Sequence, residues 1–575
     1  MAQLTFFLRT RAGSLMVALL VVAGMFVPAF IFGAVAGDDL RFHVSWFASY
    51  KQALLHGEWY PRWLPDQMAG MGSPTLYFYP PFATFFLGLL DVLTLHHLPE
   101  TRVVAVAAFL MAGLSGCTFY LWARRFSGGA AAVYLSAFYA VAPYHVLIDY
   151  YTRAALAEYA AYIWVPLIFA GIHRVIVDGG RSAVLMLVAG IVGLFCTHLL
   201  SAMIIGPFAL CYALVLLAHV DAAPGRSRAR RLGLLALAGA CGIGLAAFYV
   251  APAILLLKQS NAHALNLYPV YNTKLFRGLF KPGATVMLRM SVIAATYFLI
   301  AAGLSAAYWR ARRRADAGWR DGGPVLFWTA TILLLTLLMA GACGFVFRPP
   351  SPFEQIQFLW RMVMFLEFAV LSLALCVWQR EGGAPMVAMF AAPALALLLW
   401  QSYLLANCFD FAARARIDFM QTMPIKNRLS PSEYFPNGTS FTRNTGEIVA
   451  RLAPHLAAPL AYLAYGDGRI LGASDDRATF QVELQADTDA QVVLRQFYFP
   501  GWQALDDSGR ELAVTPAGAD KLASFMVGPG RHRVTVTRMV TRAEWSGMAL
   551  SGAALLALIA MLLMLGRGSG RGRPR

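Results

Sequence analysis

A dozen apolar stretches recur along the chain, near 14–35, 102–122, 128–147, 159–173, 182–200, 202–218, 232–256, 290–309, 324–345, 358–378, 384–405 and 546–565. At about 1.5 Å of rise per residue, most are long enough to cross roughly 30 Å of hydrocarbon. The short stretch at 159–173 relies on its polar flanks. At membrane depth every backbone N–H and C=O must find its partner within the protein, so stretches of this length must be helices packed as a bundle. With 59% hydrophobic and 13% charged residues, against about 25% charged in a soluble domain, disordered and fibrous classes are excluded.

Charge placement sets the expected topology. The 47 Lys and Arg against 30 Asp and Glu give a net charge of +17, which in a soluble chain would suggest nucleic acid. If the N-terminus is cytoplasmic, Arg9, Arg11, Arg124, Arg125, Arg174, Arg181, Arg380, the runs 226–231 and 310–320 and the tail 567–575 all fall inside. The positive-inside rule then accounts for the basic excess, and no nucleic-acid partner is expected. The expected location is a bacterial cytoplasmic (inner) membrane, with both termini cytoplasmic and the lipid bilayer as first partner.

The apolar run Phe82–Leu95 is too short to cross, and a crossing there would turn every later arginine cluster outward. It is expected to re-enter or to lie at the surface, which makes residues 36–101 one large outer loop. The first span ends in Ala34-Val35-Ala36, similar to a signal-peptidase site, but its apolar region of about 20 residues is longer than a signal's. It is expected to remain as the first transmembrane helix. The seven cysteines lie within or at the ends of spans without a CxxC, so neither a disulfide framework nor a thiolate zinc site is expected.

Residues 410–545 differ in character, with many charges and turns such as Asp506-Asp507-Ser508-Gly509. The alternation in Thr479–Leu484 and Arg533–Thr537 has the two-residue period of half-buried strands, with Phe499-Pro500-Gly501-Trp502 as a turn between strands. The expected division is a membrane module over 1–409, an exocytoplasmic β-sandwich domain over 410–545, and a final transmembrane helix with a basic tail over 546–575.

The candidates for chemistry fall on the outer side. Asp38 and Asp39 follow the first span, and in a continuing helix Asp39 and His43 share a face, an arrangement suited to a general base and its orienting neighbour. Membrane-boundary residues are the plainer reading. The next outer loop is expected to hold Asp149, Arg153 and Glu158. Arg153 and Glu158 are five residues apart, not a helical-face spacing, so they are expected to find different partners. One use is an arginine for an anionic group with a second carboxylate beside it; an interfacial salt bridge is the alternative. His198 sits at an outer helix end, where a structural hydrogen bond competes with a catalytic role. The loop 258–289 carries Lys258, Lys274, Arg277, Lys281 and Arg289 without an acid, a pattern that fits lipid headgroups or a phosphate clamp. Gln357 and Arg361 share a face at the start of a later span, as interface anchors or as headgroup ligands.

Taken together, Gly37-Asp38-Asp39 with His43, the Tyr77-Phe78-Tyr79-Pro80-Pro81 turn, Arg153 with Glu158, and Ile356-Gln357-Phe358-Leu359-Trp360-Arg361 resemble the GT-C superfamily of polyprenyl-phosphate-dependent glycosyltransferases. More narrowly, they resemble the bacterial membrane proteins labelled "6-pyruvoyl-tetrahydropterin synthase-related", a label that implies no pterin chemistry. The Tyr498–Trp502 stretch is similar to related membrane proteins that glycosylate teichoic acid. The family pattern often has Pro where Leu359 stands. The resemblance implies a GT-C-like fold of about 12 transmembrane helices and transfer of a sugar from a polyprenyl-phosphate donor to a cell-envelope glycan, lipid or protein. Asp38 or Asp39 would activate the acceptor and His43 would orient that acid. Glu158 would bind a sugar hydroxyl or act as a second acid, and Arg153, Arg361, Lys274, Arg277 and Gln357 would face the donor phosphate. Whether a divalent metal (Mg or Mn) joins Asp38 and Asp39 is left open by two adjacent aspartates. The alternatives are a non-catalytic lipid or polysaccharide translocator and a scaffold with a glycan-binding outer domain.

Overall fold

The computed structural model describes residues 10–34, 37–219, 227–261, 275–276, 285–314, 322–348, 350–356, 358–381, 384–409, 431–439 and 445–569. Each apolar stretch becomes a helix. Among the described residues, ten are long and apolar enough to cross a membrane: Ala12–Phe32, Glu100–Ala123, Gly129–Thr152, Leu156–Val177, Leu199–His219, Val286–Arg313, Gly323–Ala340, Leu359–Gln379, Phe390–Asn407 and Arg542–Gly566. The pair Arg228–Leu245 and Ala247–Leu255, bent by 66°, makes an eleventh, and the shorter apolar helix Arg181–Thr197 fills the remaining expected position. The protein is a multi-pass α-helical membrane protein with a C-terminal antiparallel β domain.

The bundle interior is aromatic. Trp122, Tyr139, Phe169, Trp328 and Phe368 are buried against one another, and the Trp122 indole N–H donates to Ser372 over 3.0 Å. Indole and phenol groups bring apolar area together with a polar tip that must be satisfied when buried, and here the bundle supplies the partners.

The run expected not to cross forms the helix Phe82–Leu93, packed on the helix Leu40–Leu55 through stacked Tyr50 and Phe85 rings, 5.1 Å apart. A Cβ at Gly88 would stand 2.4 Å from the Tyr50 ring, so only glycine permits this approach. Asp91, buried at the helix end, is held by Lys51 at 3.0 Å and by His96.

The β domain has two antiparallel sheets over one apolar core. Strands β1 (Ala461–Tyr465), β4 (Ala490–Phe497), β7 (Thr515–Ala517) and β8 (Leu522–Val527) form one sheet in the order β1-β4-β8-β7. Strands β2 (Gly468–Asp476), β3 (Thr479–Ala486), β5 (Trp502–Leu505), β6 (Glu511–Leu512) and β9 (Gly530–Arg538) form the other, in the order β2-β3-β9-β5-β6. The alternating segments named from sequence lie in β3 and β9, and Phe499–Gly501 turns between β4 and β5. This domain is locked to the first large loop. The Phe497 N–H donates to the Met71 carbonyl at 2.7 Å, Trp63 donates to Gln496 at 3.1 Å, and Arg538 lies over the rings of Trp63 and Trp502 while donating to the Tyr77 hydroxyl at 2.9 Å. Arg62 and Tyr77 both reach Glu544, at the start of the last membrane helix. Loop and β domain are therefore one packed unit, joined to the bundle through the start of the last span.

Candidate functional site

The span expected to end near residue 147 continues as a π-helix, Tyr144–Thr152. The Arg153 N–H donates to Ile148 five residues back, at 2.9 Å. The chain then breaks at Ala154, whose φ of +53° is left-handed, before the helix Leu156–Ala161 begins. Such a conformation costs a β-carbon-bearing residue on the order of 1 kcal/mol and tends to occur where the surroundings over-determine the chain. The expected outer loop holding Asp149, Arg153 and Glu158 is thus corrected: Asp149, Arg153 and Glu158 are all buried.

Asp149 and Arg153 are an i,i+4 pair, and the break adds Glu158, which spacing on a regular helix would separate from Arg153. Arg153 Nη1 donates to Asp149 Oδ1 at 2.7 Å and to Glu158 Oε2 at 2.8 Å, so the expectation of different partners for Arg153 and Glu158 is overturned. The Tyr144 hydroxyl completes Glu158, donating to Oε1 at 2.8 Å. From another span, Arg361 Nε stands 3.3 Å from Glu158 Oε2, an ion pair without the alignment of a hydrogen bond. Its Nη1 is also buried without a hydrogen-bond partner among the described residues. The guanidinium lies 5.2 Å from the Phe358 ring centre. Leu359–Arg361 is a 3₁₀ turn running into the helix Met362–Glu381, so leucine in place of proline still opens a helix here.

Asp39 joins this group through the backbone. Its N–H donates to the Arg153 carbonyl at 2.8 Å, and a Cβ on Gly37 would lie 2.7 Å from the Ala154 nitrogen and the Arg153 carbonyl carbon. Glycine is required for that contact. Asp39 is half-buried and Asp38 exposed. Burial lifts the Asp39 carboxyl above its ordinary range, and the nearby positive charges of Arg153 and Arg361 pull it partway back. Asp39 precedes the helix Leu40–Leu55 as its N-cap residue without a side-chain capping bond.

His43 is placed differently from expectation. Its Nε2 meets the Tyr79 hydroxyl at 3.3 Å, and among the described residues no hydrogen bond joins its side chain to Asp39. Burial drives its imidazole down to about 3, so it is neutral. The imidazole thus contacts Tyr79 and not Asp39, and Tyr79 itself lies within the electrostatic reach of Asp39, Arg361, Arg153 and Glu158. Trp46, Tyr79 and Tyr434 line the same side, with Trp46 4.5 Å from Tyr79 and 6.3 Å from Tyr434 between ring centres. His198 is bonded to Ser201 at 2.6 Å. Burial lowers its imidazole to about 3 against the opposing charge of Glu158, which places it at the edge of the group.

The structure thus brings together Asp39, Asp149, Arg153, Glu158, Arg361 and His198. Lys274, Arg277 and Gln357 lie outside the described residues. Tyr144 and Tyr434 were not singled out from sequence, and Tyr79 entered only as part of the Tyr77-Phe78-Tyr79-Pro80-Pro81 turn. For Tyr144 the available signal was a tyrosine inside an apolar span, since a buried hydroxyl demands a partner. Among the described residues no three His, Cys, Asp or Glu side chains are arranged to hold a metal ion. Asp149 and Glu158 are already engaged by Arg153, and among the described residues Asp38 and Asp39 gain no third metal-ligating side chain.

No family model matches the chain. An uncharacterized protein of Lactococcus lactis subsp. cremoris (strain MG1363) is 25% identical over 258 residues, covering 43% of this chain and 41% of that protein. Among solved structures, the archaeal oligosaccharyltransferase AglB from Archaeoglobus fulgidus, in complex with an inhibitory peptide and a dolichol-phosphate, aligns with a TM-score of 0.35 at 14% identity over 77% of this chain and 54% of that one. The chain therefore spans about two fifths of its curated relative and about half of the solved one.

Proposed function

We propose that this protein is a GT-C-type glycosyltransferase that moves a sugar from a polyprenyl-phosphate donor to an envelope glycan, lipid or protein acceptor. The transfer takes place on the outer face of a bacterial cytoplasmic membrane. The observation that carries the reading is the Arg361 guanidinium, with buried Nε and Nη1 groups that make no hydrogen bond among the described residues, within electrostatic reach of the Asp39 carboxylate. Leaving a buried donor unsatisfied costs about 1–3 kcal/mol, more for a charged group. An anionic phosphate oxygen removes that cost and adds a charge-assisted bond.

In this mechanism Asp39 takes the proton of the acceptor hydroxyl, whose oxygen attacks the anomeric carbon. The bond from that carbon to the phosphate oxygen breaks, and the carrier phosphate leaves with the electron pair. Arg361, seconded by Arg153, offsets the charge that develops on it. Glu158 anchors both arginines, since Arg153, Arg361 and Tyr144 already occupy it. The half-buried Tyr79 offers an aromatic face to a sugar ring.

The decisive experiment uses purified protein in nanodiscs with a labelled polyprenyl-phosphate sugar and isolated envelope fractions. Donor binding that weakens in Arg361→Gln and transfer that disappears in Asp39→Asn are expected. Wild-type protein that binds no donor of this class would reject the reading, and movement of intact donor across the bilayer without transfer would favour a translocator.

A further inference from the structure

Glu367 is fully buried on the helix Met362–Glu381, inside the bundle, and takes no part in the chemistry above. A lone ionisable side chain at membrane depth carries a cost and marks a functional position by default. Its partners are specific. Oε1 accepts the Tyr144 backbone N–H at 2.9 Å and Oε2 accepts the Tyr162 hydroxyl at 2.6 Å. The Tyr297 hydroxyl and the His145 backbone N–H face the same carboxylate. Among the described residues no basic side chain forms an ion pair with it.

Tyr144 is the first residue of the π-helix, directly after Pro143. The opening N–H groups of any helix lack partners within it and form the positive end of its dipole. Hydrocarbon offers no water to satisfy them. We infer that Glu367 is a positioning residue: its carboxylate caps the π-helix Tyr144–Thr152 from a distant span and so fixes the register that aims Tyr144, Asp149 and Arg153 at Glu158.

The consequence follows from helix geometry. A π turn carries more residues than the 3.6 of an α-helix, and a slip of one residue back into α register turns every later side chain by about 100°. Asp149 and Arg153 would then face away from Glu158, and the Arg153 carbonyl would leave the Asp39 N–H. The effect on transfer rests on the function proposed above; the effect on the backbone does not.

Amide hydrogen exchange over 144–153, measured in nanodiscs beside transfer, tests this. Glu367→Gln keeps a carbonyl oxygen for the Tyr144 N–H, and exchange within about 3-fold of wild type is expected. Glu367→Leu removes the acceptor at similar size, so exchange over 144–153 should rise about 10-fold or more while the other spans stay protected. Transfer kcat/KM should fall about 100-fold in the leucine variant and recover largely in the glutamine variant. Tyr162→Phe removes only the second bond and should leave the segment protected. Glu367→Asp keeps the charge but withdraws it by one methylene, and exchange at least about 3-fold faster is expected even if leucine is not tolerated. Unchanged exchange in the aspartate or leucine variant, or loosening in Tyr162→Phe equal to that in leucine, overturns the assignment. If wild-type protein transfers no sugar, the exchange measurements alone decide the cap.

Discussion

The backbone N–H of Asp39 donates to the carbonyl of Arg153 over 2.8 Å, tying the start of the first large loop to the break between two membrane helices. A carboxylate and a guanidinium far apart in sequence are thereby held by main chain, the least adjustable part of the protein. Five expectations follow from that arrangement and its surroundings.

Asp39 and Asp38 are adjacent but unequal, since Asp39 is half-buried and Asp38 exposed. Asp39→Asn is expected to lower transfer by about 10²–10⁴-fold, the range of a lost general base, and Asp38→Asn by less than about 10-fold. Transfer assays with labelled donor compare the two directly. Equal loss in both would reject the assignment.

The pH dependence has a definite sign. The Asp39 carboxyl is raised above 3.8 chiefly by burial, so its protonated form persists to higher pH than in the unfolded chain. Its contribution to folding stability is therefore complete below about pH 3.8 and is lost as pH rises through the folded value. A general base must be ionised, so transfer should increase over the same window. Arg361 is one of the charges that lowers this carboxyl. Arg361→Gln should shift the acidic limb of the rate profile to higher pH, as a pH series of kcat/KM would reveal.

At Arg361 itself, Gln should cost about 3 kcal/mol of transition-state stabilisation, near 10²-fold in rate. Lysine should restore little of it, because a point charge lacks the planar fork of donors. Donor titration and single-turnover rates separate binding from chemistry. Full rescue by lysine would argue for simple electrostatic attraction.

Gly37→Ala adds one methyl group, which would stand 2.7 Å from the Ala154 nitrogen. The loop must move away from Arg153, so Asp39 loses its anchor. A strong fall in transfer is expected with thermal stability reduced by no more than about 1–3 kcal/mol, the usual cost of overpacking. Unaltered activity would show that Asp39 needs no such contact.

Arg153→Leu should be the most destabilising of these changes. It leaves Asp149 and Glu158 buried without their shared cation, and breaking a buried pair from one side costs about 3–5 kcal/mol. Restoring balance with Asp149→Leu in the same chain should recover part of it. Thermal unfolding in detergent reads both variants, and equal stability of Arg153→Leu and wild type would contradict the buried geometry.

The bundle and the β domain were legible in sequence because each signal is local. Apolar length fixes a membrane span, and two-residue alternation fixes β3 and β9. The candidate site was legible only in part. Asp39, Arg153, Glu158 and Arg361 stand out as charges beside apolar runs, but their mutual contacts do not. Spacing on an ideal helix separates Arg153 from Glu158, and no local rule anticipates a π-helix followed by a left-handed alanine. His43 shows the opposite error: helical spacing pairs it with Asp39, while packing of the Tyr79 loop takes the imidazole instead.

What the sequence by itself determined is therefore the solvent of each segment: which stretches lie in lipid, which face water, and where cations accumulate. Those choices rest on transfer free energies that act residue by residue. Only the tertiary structure decided that the Asp39 loop, the π-helix and the Arg361 turn meet at one place. Their convergence depends on close approach at Gly37, on the break at Ala154 and on buried polar groups satisfied between distant spans. Such bonds are set by long-range packing, because deep in the bundle a polar group has no water to fall back on and must take whichever partner the fold brings near.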